Sequence, residues 1–120
     1  MDRAAIGRSA EDVAADYLAR NNVQILERNF RRRLGEIDIV GRIGDVLIVA
    51  EVRTRSSDAF GGAAASVDFI KQRKIIRATE QLLQKRREFR ELRVRFDVVV
   101  VRDPFGRCPD VEWIQHAFSA

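Results

Sequence analysis

The sequence predicts an α/β fold in which helices flank a mixed central sheet of about five strands. Two observations carry this prediction. The strand pattern DVLIVAEVR (45–53) is followed by a long amphipathic helix and then by the almost wholly apolar strand VRFDVVVV (94–101). A crossover of this kind makes its two strands parallel, and an apolar run is typical of a central strand covered on both faces. At 120 residues, the chain is expected to form a single domain over residues 1–120.

The first helix and the first strand are predicted near the N-terminus. Ser9 and Asp12 resemble a capping box, and apolar residues at helical spacing follow them. Asn21 and Asn22 are expected to end this helix. VQILERNF (23–30) predicts a strand, which a basic turn then follows.

A hairpin is predicted next. EIDIV (36–40) and DVLIVAEVR form two strands around GRIG (41–44), whose two glycines suit a hairpin loop. FGGAAAS (60–66) is expected to be a small-residue connection, because no phosphate-binding fingerprint accompanies its glycines.

The second helix is predicted from about Ser66 to Phe89, and VEWIQHAF (111–118) is the last strand. One stripe of this helix should face the sheet. It consists of Ile75, Ala78, Thr79, Leu82 and Leu83.

Composition excludes several classes of protein. The only cysteine is Cys108, so the chain forms no intramolecular disulfide and no cysteine-rich metal site. The N-terminal segment has no apolar core of the kind that a signal peptide requires, and the apolar runs are shorter than the roughly 18 residues of a membrane helix. We therefore expect a cytoplasmic protein that does not bind membranes.

The net charge of +4 is unevenly distributed. Residues 71–95 carry ten basic and three acidic side chains, which is a local charge of +7. A second basic cluster, Arg28 and Arg31–Arg33, precedes the hairpin. Clustered cations are typical of proteins that bind polyanions, and a solvated helix face with a charged turn is the alternative.

The hairpin strands carry acidic residues in otherwise apolar segments. Because side chains alternate along a strand, Glu36 and Asp38 share one face of the second strand, and Glu51 and Arg53 share one face of the third. The hairpin register decides whether these faces coincide. A loop closed by Val40 opposite Asp45 would bring all four side chains together, whereas a shift by one residue would separate Asp38 from Glu51.

Converging carboxylates need neutralisation, because buried like charges repel. Arg53 can neutralise about one of them, and the rest favour a hard cation such as Mg²⁺, since no His or Cys is nearby. An acidic metal site within a basic surface suits phosphodiester hydrolysis. The alternative is a set of ion pairs with Arg53, Arg55 or Arg42 on a half-solvated sheet face.

An ordered set of motifs supports a family resemblance. GEIDIV, VAEVRTR, FGG, SVDFIKQRK and RFDVVVV occur in this order between about residue 7 and residue 101. Because it contains these motifs in this order, the chain resembles the YraN-like family of bacterial proteins. That family is grouped with the restriction-endonuclease-like nucleases of the PD-(D/E)xK type and is similar to archaeal Holliday-junction resolvases. The resemblance implies a restriction-endonuclease-like three-layer fold.

The resemblance also implies which residues form the site. Asp38 would be the motif aspartate, Glu51 the (D/E) residue and Arg53 the residue at the lysine position. Glu11 on the first helix would reach the same site, so that Glu11, Asp38 and Glu51 would bind Mg²⁺ or Mn²⁺. By helical angle Glu11 borders the apolar stripe, and a solvated helix position is its alternative.

Position 53 departs from the motif, which usually has lysine there. Arginine can hold a phosphate or a carboxylate bidentately but is effectively never deprotonated. Lys71 lies one helical turn before Ile75 on the sheet-facing stripe, so its ammonium group is a second candidate for the cation of the site. A snorkelling surface lysine is the alternative.

The expected function follows from both lines of reasoning. We expect a nucleic-acid-binding protein that acts on DNA as a metal-dependent endonuclease, with branched or junction DNA among its substrates. Two alternatives stay open: a catalytically inactive nucleic-acid-binding module, and a protein-interaction domain. A homodimer is one assembly that the sequence allows. The residues expected to bind nucleic acid are Arg31, Arg32, Arg33, Arg55, Arg73, Lys74 and Arg77.

Three other polar residues are expected to have structural or surface roles. Cys108 and His116 lack the acid and oxyanion motifs that accompany a cysteine nucleophile. Asp97 stands beside Arg95 on one strand face, where a local ion pair would account for it.

Overall fold

The computed structural model describes residues 3–55, 67–103, 105–106 and 108–120. In chain order these ranges contain the elements α1 (Arg3–Arg20), β1 (Gln24–Arg32), β2 (Gly35–Ile43), β3 (Val46–Arg55), α2 (Phe69–Lys85), a short 3-10 helix (Arg87–Phe89), β4 (Arg93–Arg102) and β5 (Asp110–Phe118). The segment FGGAAAS (60–66), predicted as a connection, lies outside the described residues.

The five strands form one mixed sheet in the order β1-β2-β3-β4-β5. All neighbouring pairs are antiparallel except β3 and β4, which run parallel. The chain passes from β3 to β4 by way of α2, so the predicted crossover unit is confirmed.

Two helices cover opposite faces of this sheet and complete a three-layer α/β fold, as predicted. The apolar side chains of α1 pack against one face, which includes Ile39, Ile48 and Val99. The buried stripe of α2 packs against the other face, which includes Val40, Val49 and Val98. Alternate residues of β4 therefore enter different cores, which explains why the run Val98–Val101 is wholly apolar. Neither helix in the described ranges is long and apolar enough to cross a bilayer.

Both helices begin at positions that differ from the prediction. Helix α1 begins at Arg3, so Ser9 and Asp12 lie within the helix and do not cap it. Helix α2 begins at Phe69, because the Asp68 carboxylate accepts a 2.8 Å hydrogen bond from the Lys71 backbone N–H. It ends at Lys85, and the 3-10 turn that follows contains Phe89.

The hairpin turn is also shorter than predicted. Ile43 pairs with Val46, so the turn is Gly44-Asp45 and the rest of GRIG belongs to β2. Gly44 has a φ of 59°, a left-handed conformation that glycine adopts without steric cost. Two-residue turns need such conformations, because their twist must match that of the strands.

Candidate functional site

The hairpin register brings Asp38 and Glu51 together. Ile39 pairs with Ala50 and Val40 with Val49, so the ladder runs toward Asp38 and Glu51, which lie just beyond its last pair. The pairing differs from the one proposed from the sequence, in which Val40 would face Asp45. It preserves the parity, and the two carboxylates lie close enough for Glu51 to raise the pKa of Asp38.

A backbone hydrogen bond holds the Asp38 side chain between the strands. The paired ladder of β2 and β3 ends at Ile39 and Ala50. Just beyond it, the Val52 backbone N–H donates to Asp38 Oδ2 at 2.8 Å. The carboxylate thus bonds the neighbouring strand directly, and this fixes its position at the end of the ladder.

The surroundings of Asp38 disfavour its charged form. Burial and then repulsion from the Glu51 carboxylate raise its pKa from 3.8 to about 7, while the hydrogen bond from Val52 opposes this rise. The carboxylates of Glu11 and Glu36 also raise this pKa. Acidic side chains from α1, β2 and β3 therefore all disfavour the charged form of Asp38.

Glu51 forms its ion pair with a residue from α2. Only 6% of its side chain is exposed, and Lys71 Nζ lies 2.9 Å from Glu51 Oε1. Lys71 lies in the first turns of α2, where Ile75 one turn later packs on the sheet. Although 41% of the Lys71 side chain is exposed, its ammonium group contacts the buried carboxylate. The structure thus supports the reading in which Lys71 provides a cation at this site.

Arg53 occupies a different position from the one expected of a neutralising cation. It lies opposite Val100 on β4, two residues beyond Glu51, which lies opposite Val98. Among the described residues, no ion pair joins it to Asp38 or Glu51. Its Nε is buried and has no hydrogen-bond partner in this part of the chain. A buried guanidinium nitrogen without a partner is costly.

Glu11 lies at the edge of the same site. Its side chain is 20% exposed, and its Oε2 lies 3.8 Å from Arg28 NH2. Arg28 also donates a 2.8 Å hydrogen bond to Asp12, so it ties α1 to β1. Glu11 is close enough to add to the repulsion at Asp38.

The donor chemistry of this site fits a hard divalent cation. Within the described ranges, no three or more His, Cys, Asp or Glu side chains lie close enough together to hold a metal ion. Mg²⁺, however, is often bound through one or two carboxylates and completes its shell with water and substrate phosphate. The Asp38–Glu51 pair has the oxygen chemistry of two such ligands, and metal binding by it or by the three-residue set that includes Glu11 stays a prediction.

A basic cleft of about 620 Å³ adjoins the carboxylates. Lys71 belongs both to the cleft and to the ion pair with Glu51. A Cβ at Gly35 would overlap the carbonyl oxygen of Lys74, so the β1–β2 turn packs directly on α2. The cleft is lined by Arg31, Arg32, Arg33, Leu34, Gly35, Glu36, Asp68, Ile70, Lys71 and Lys74.

Comparisons with known proteins identify the family. Residues 10–101 match the family described as "Uncharacterised protein family UPF0102". The chain belongs to this family. A UPF0102 protein of Stutzerimonas stutzeri (strain A1501) is 42% identical over 114 residues, which cover 95% of this chain and 94% of the relative. UPF0102 proteins of Legionella pneumophila (strain Philadelphia 1) and Dechloromonas aromatica (strain RCB) are 39% and 44% identical over 95% of this chain and 94% and 88% of their own lengths. The YraN-like resemblance is thereby confirmed.

In this member of UPF0102, only some of the residues expected to bind nucleic acid line the cleft. Arg31, Arg32, Arg33 and Lys74 line the cleft. Arg73 and Arg77 are exposed on α2 but do not line it. The side chain of Arg55 lies outside the described part of the structure.

Sequence reasoning missed two cleft residues, Leu34 and Ile70. Both are large apolar side chains exposed in basic segments, at 46% and 70%. The sequence did contain a signal for them: each is an apolar residue that stands next to basic residues and outside the predicted buried stripe.

Asp97 has a structural role. It is fully buried and accepts two hydrogen bonds from Arg95, at 2.9 and 2.8 Å, so the predicted local ion pair is confirmed. Trp113 Nε1 and the His116 backbone N–H also donate to it, at 2.8 and 3.0 Å. Because four donors satisfy this carboxylate, it needs no ligand.

Proposed function

We propose that this protein is a metal-dependent endonuclease that hydrolyses phosphodiester bonds in DNA. One observation carries the proposal. The carboxylates of Asp38 and Glu51 repel each other at the end of a strand pair, where the pKa of Asp38 is raised to about 7, and a cleft lined by cations adjoins them. A negative point within a positive surface is the charge arrangement that cleavage of a polyanion requires.

The cleft would hold the substrate backbone. Arg31–Arg33 come from the end of β1 and the turn after it, and Lys74 comes from α2, so cations reach the cleft from two elements. They outnumber its acidic residues, Glu36 and Asp68. A DNA strand bound there would have its phosphates near Lys71, and hence near Glu51.

Asp38 and Glu51 would hold the divalent cation, with Glu11 as a third candidate. A bound Mg²⁺ or Mn²⁺ supplies Lewis-acid stabilisation of the phosphate and a hydroxide nucleophile at neutral pH. The protein's part is to fix two oxygen ligands. The Val52 N–H orients Asp38, and Lys71 orients Glu51.

The two cations beside the carboxylates would have different roles. Lys71 has a mobile ammonium group that can move from Glu51 to a phosphate oxygen as charge develops on it. Arg53 would contribute a fixed positive charge, since a guanidinium is effectively never deprotonated, so it would position a phosphate and would not transfer protons.

A catalytically inactive nucleic-acid-binding module is the second candidate. The specific observation that favours it is that Lys71 already neutralises Glu51, while arginine occupies the usual lysine position. In this alternative the fold and the cleft are retained for binding alone. If the carboxylates make only ion pairs, the protein-interaction domain remains as a third reading.

A cleavage assay tests the proposal. Purified protein is incubated with linear, branched and single-stranded DNA in Mg²⁺ or Mn²⁺, and products are separated on denaturing gels. Cleavage that is lost in Glu51→Gln but retained in Glu91→Gln, an exposed acid outside the cleft, supports the endonuclease. Binding without cleavage under every condition supports the inactive module. If the protein neither binds nor cleaves DNA, both the endonuclease and the inactive binding module are contradicted.

The cytoplasmic location and the homodimer stay predictions.

A further inference from the structure

Two exposed apolar side chains line the basic cleft. Leu34 lies in the turn between β1 and β2, and Ile70 lies in the first turn of α2. They are 46% and 70% exposed. Single exposed apolar residues are common, but apolar groups that line one groove and are rimmed by charged residues mark ligand-binding sites.

The position of this pair is set by backbone packing. Gly35 follows Leu34 and packs directly on the Lys74 carbonyl of α2, which leaves no room for a side chain at position 35. Lys74 lies four residues after Ile70, on the same side of the helix. The turn and the helix therefore hold Leu34 and Ile70 on a rigid support.

We infer that Leu34 and Ile70 form an apolar wedge that inserts into an interrupted DNA base stack. Proteins that kink DNA use Leu, Ile, Phe or Met side chains in this way, flanked by basic residues that bind the adjacent phosphates. Here Arg33 precedes Leu34, and Lys71 and Lys74 follow Ile70. The inference rests on the proposed function, and it specifies the substrate: DNA with a mismatch, nick or branch is preferred over continuous duplex, because its bases are already partly unstacked.

Charge complementarity favours DNA over an apolar protein segment at this place. Covering the wedge with an apolar partner would also cover the cations that surround it, and burial of unpaired charge is costly. A nucleic acid instead neutralises the same cations with its phosphates while a base edge or base face covers the apolar groups.

Binding measurements without divalent metal test the wedge, because no hydrolysis then interferes. Two duplexes of equal length and phosphate number are compared by fluorescence anisotropy: one continuous and one with a central mismatched bubble. The wild type should bind the bubble about tenfold more tightly, since unstacking has already occurred there. Leu34→Ser/Ile70→Ser should remove this preference and leave affinity for the continuous duplex within about twofold of the wild-type value.

Two variants serve as controls. Leu34→Ile/Ile70→Leu preserves apolar bulk and should retain the preference. Phe105→Ser removes another exposed apolar residue, one that does not line the cleft, and should also retain it. Unchanged melting temperatures would show that all three variants fold.

The outcomes separate this inference from the proposed function. Salt-dependent binding of both duplexes with equal affinity overturns the wedge and leaves the nucleic-acid interface intact. A preference that survives in Leu34→Ser/Ile70→Ser, or that is lost in Phe105→Ser, also overturns the wedge. No binding to either duplex overturns the proposed function and the wedge together, and a protein partner then becomes the better occupant of the cleft.

Discussion

Lys71 Nζ lies 2.9 Å from Glu51 Oε1, so a residue of α2 supplies the cation beside the buried carboxylate of β3. In the motif that the sequence resembles, the cation is expected two residues after this carboxylate on the same strand. Here that position holds Arg53, which forms no ion pair with Glu51 among the described residues. The replacement has consequences for metal binding, for stability and for catalysis.

Divalent metal should stabilise the folded protein. A cation bound by Asp38 and Glu51 relieves their repulsion and binds the folded state alone, so Mg²⁺ or Mn²⁺ should raise the melting temperature as its concentration rises. Glu51→Gln should abolish this response at little cost in stability, because a repelling charge is removed and Lys71 can be solvated. Differential scanning fluorimetry measures both effects, with Glu91→Gln as the control. A wild type that does not respond to metal, together with a strongly destabilised Glu51→Gln, would refute the metal site.

Asp38 should make stability depend on pH in the absence of metal. Its pKa rises from 3.8 to about 7 on folding because of burial and of repulsion from Glu51. Between these values the unfolded chain has lost this proton while the folded protein keeps it, so stability falls as pH rises through this window. Asp38→Asn should flatten the dependence in urea unfolding at a series of pH values, since its amide oxygen can still accept from Val52. Equal slopes for wild type and variant would contradict the prediction.

Lys71→Met should separate metal binding from catalysis. Removal of the ammonium leaves Glu51 unpaired and should lower stability by about 1–2 kcal/mol, a reduced cost because the lysine is partly exposed. The uncompensated carboxylate should then bind Mn²⁺ more tightly in calorimetry, while DNA cleavage falls. Lys71→Arg, which keeps the charge, should retain near-wild-type stability and metal affinity. Weaker metal binding in Lys71→Met would show that this lysine supports the metal instead of competing with it.

Arg53→Lys should preserve or raise nuclease activity. Lysine is the usual residue of the motif at this position, and its flexible ammonium can reach a phosphate from a partly buried backbone. Arg53→Met keeps the apolar stem and should lower activity, because the positive charge two residues after Glu51 is lost. Initial rates of cleavage at saturating metal measure the difference. A fully active Arg53→Met would assign the catalytic cation to Lys71 alone.

The cleft cations should dominate binding of DNA. Arg33→Glu/Lys74→Glu and Arg73→Glu/Arg77→Glu change the net charge equally, but only the first pair lines the cleft. The first variant should weaken binding more, to all sequences alike, and lower the slope of log K against log salt by about 2. The second should have a smaller effect through the overall field. Titrations at several salt concentrations test this, and equal losses in both variants would indicate a diffuse surface without a cleft.

Periodicity in the sequence was sufficient to predict the layers of the fold. The crossover from β3 through α2 to β4, the five-stranded mixed sheet and the buried stripe of α2 all follow from spacings of two and of 3.6 residues. The ends of the elements did not follow. Ser9 and Asp12 have the composition of a cap but lie within α1, whereas Asp68 caps α2 because its carboxylate reaches the Lys71 N–H. Several polar residues suit a cap, and the surrounding backbone decides between them.

The sequence by itself also indicated which carboxylates could converge, since regular alternation would place Asp38 and Glu51 on a shared face in every register of one parity. Only the tertiary structure decided the rest, because it joins residues from distant parts of the chain. The two-residue turn at Gly44 set the register, and packing of α2 on the sheet brought Lys71 to Glu51. The contact of Gly35 with Lys74 placed the basic turn beside α2. Local patterns determine the face on which a side chain lies, whereas packing between elements determines its neighbours.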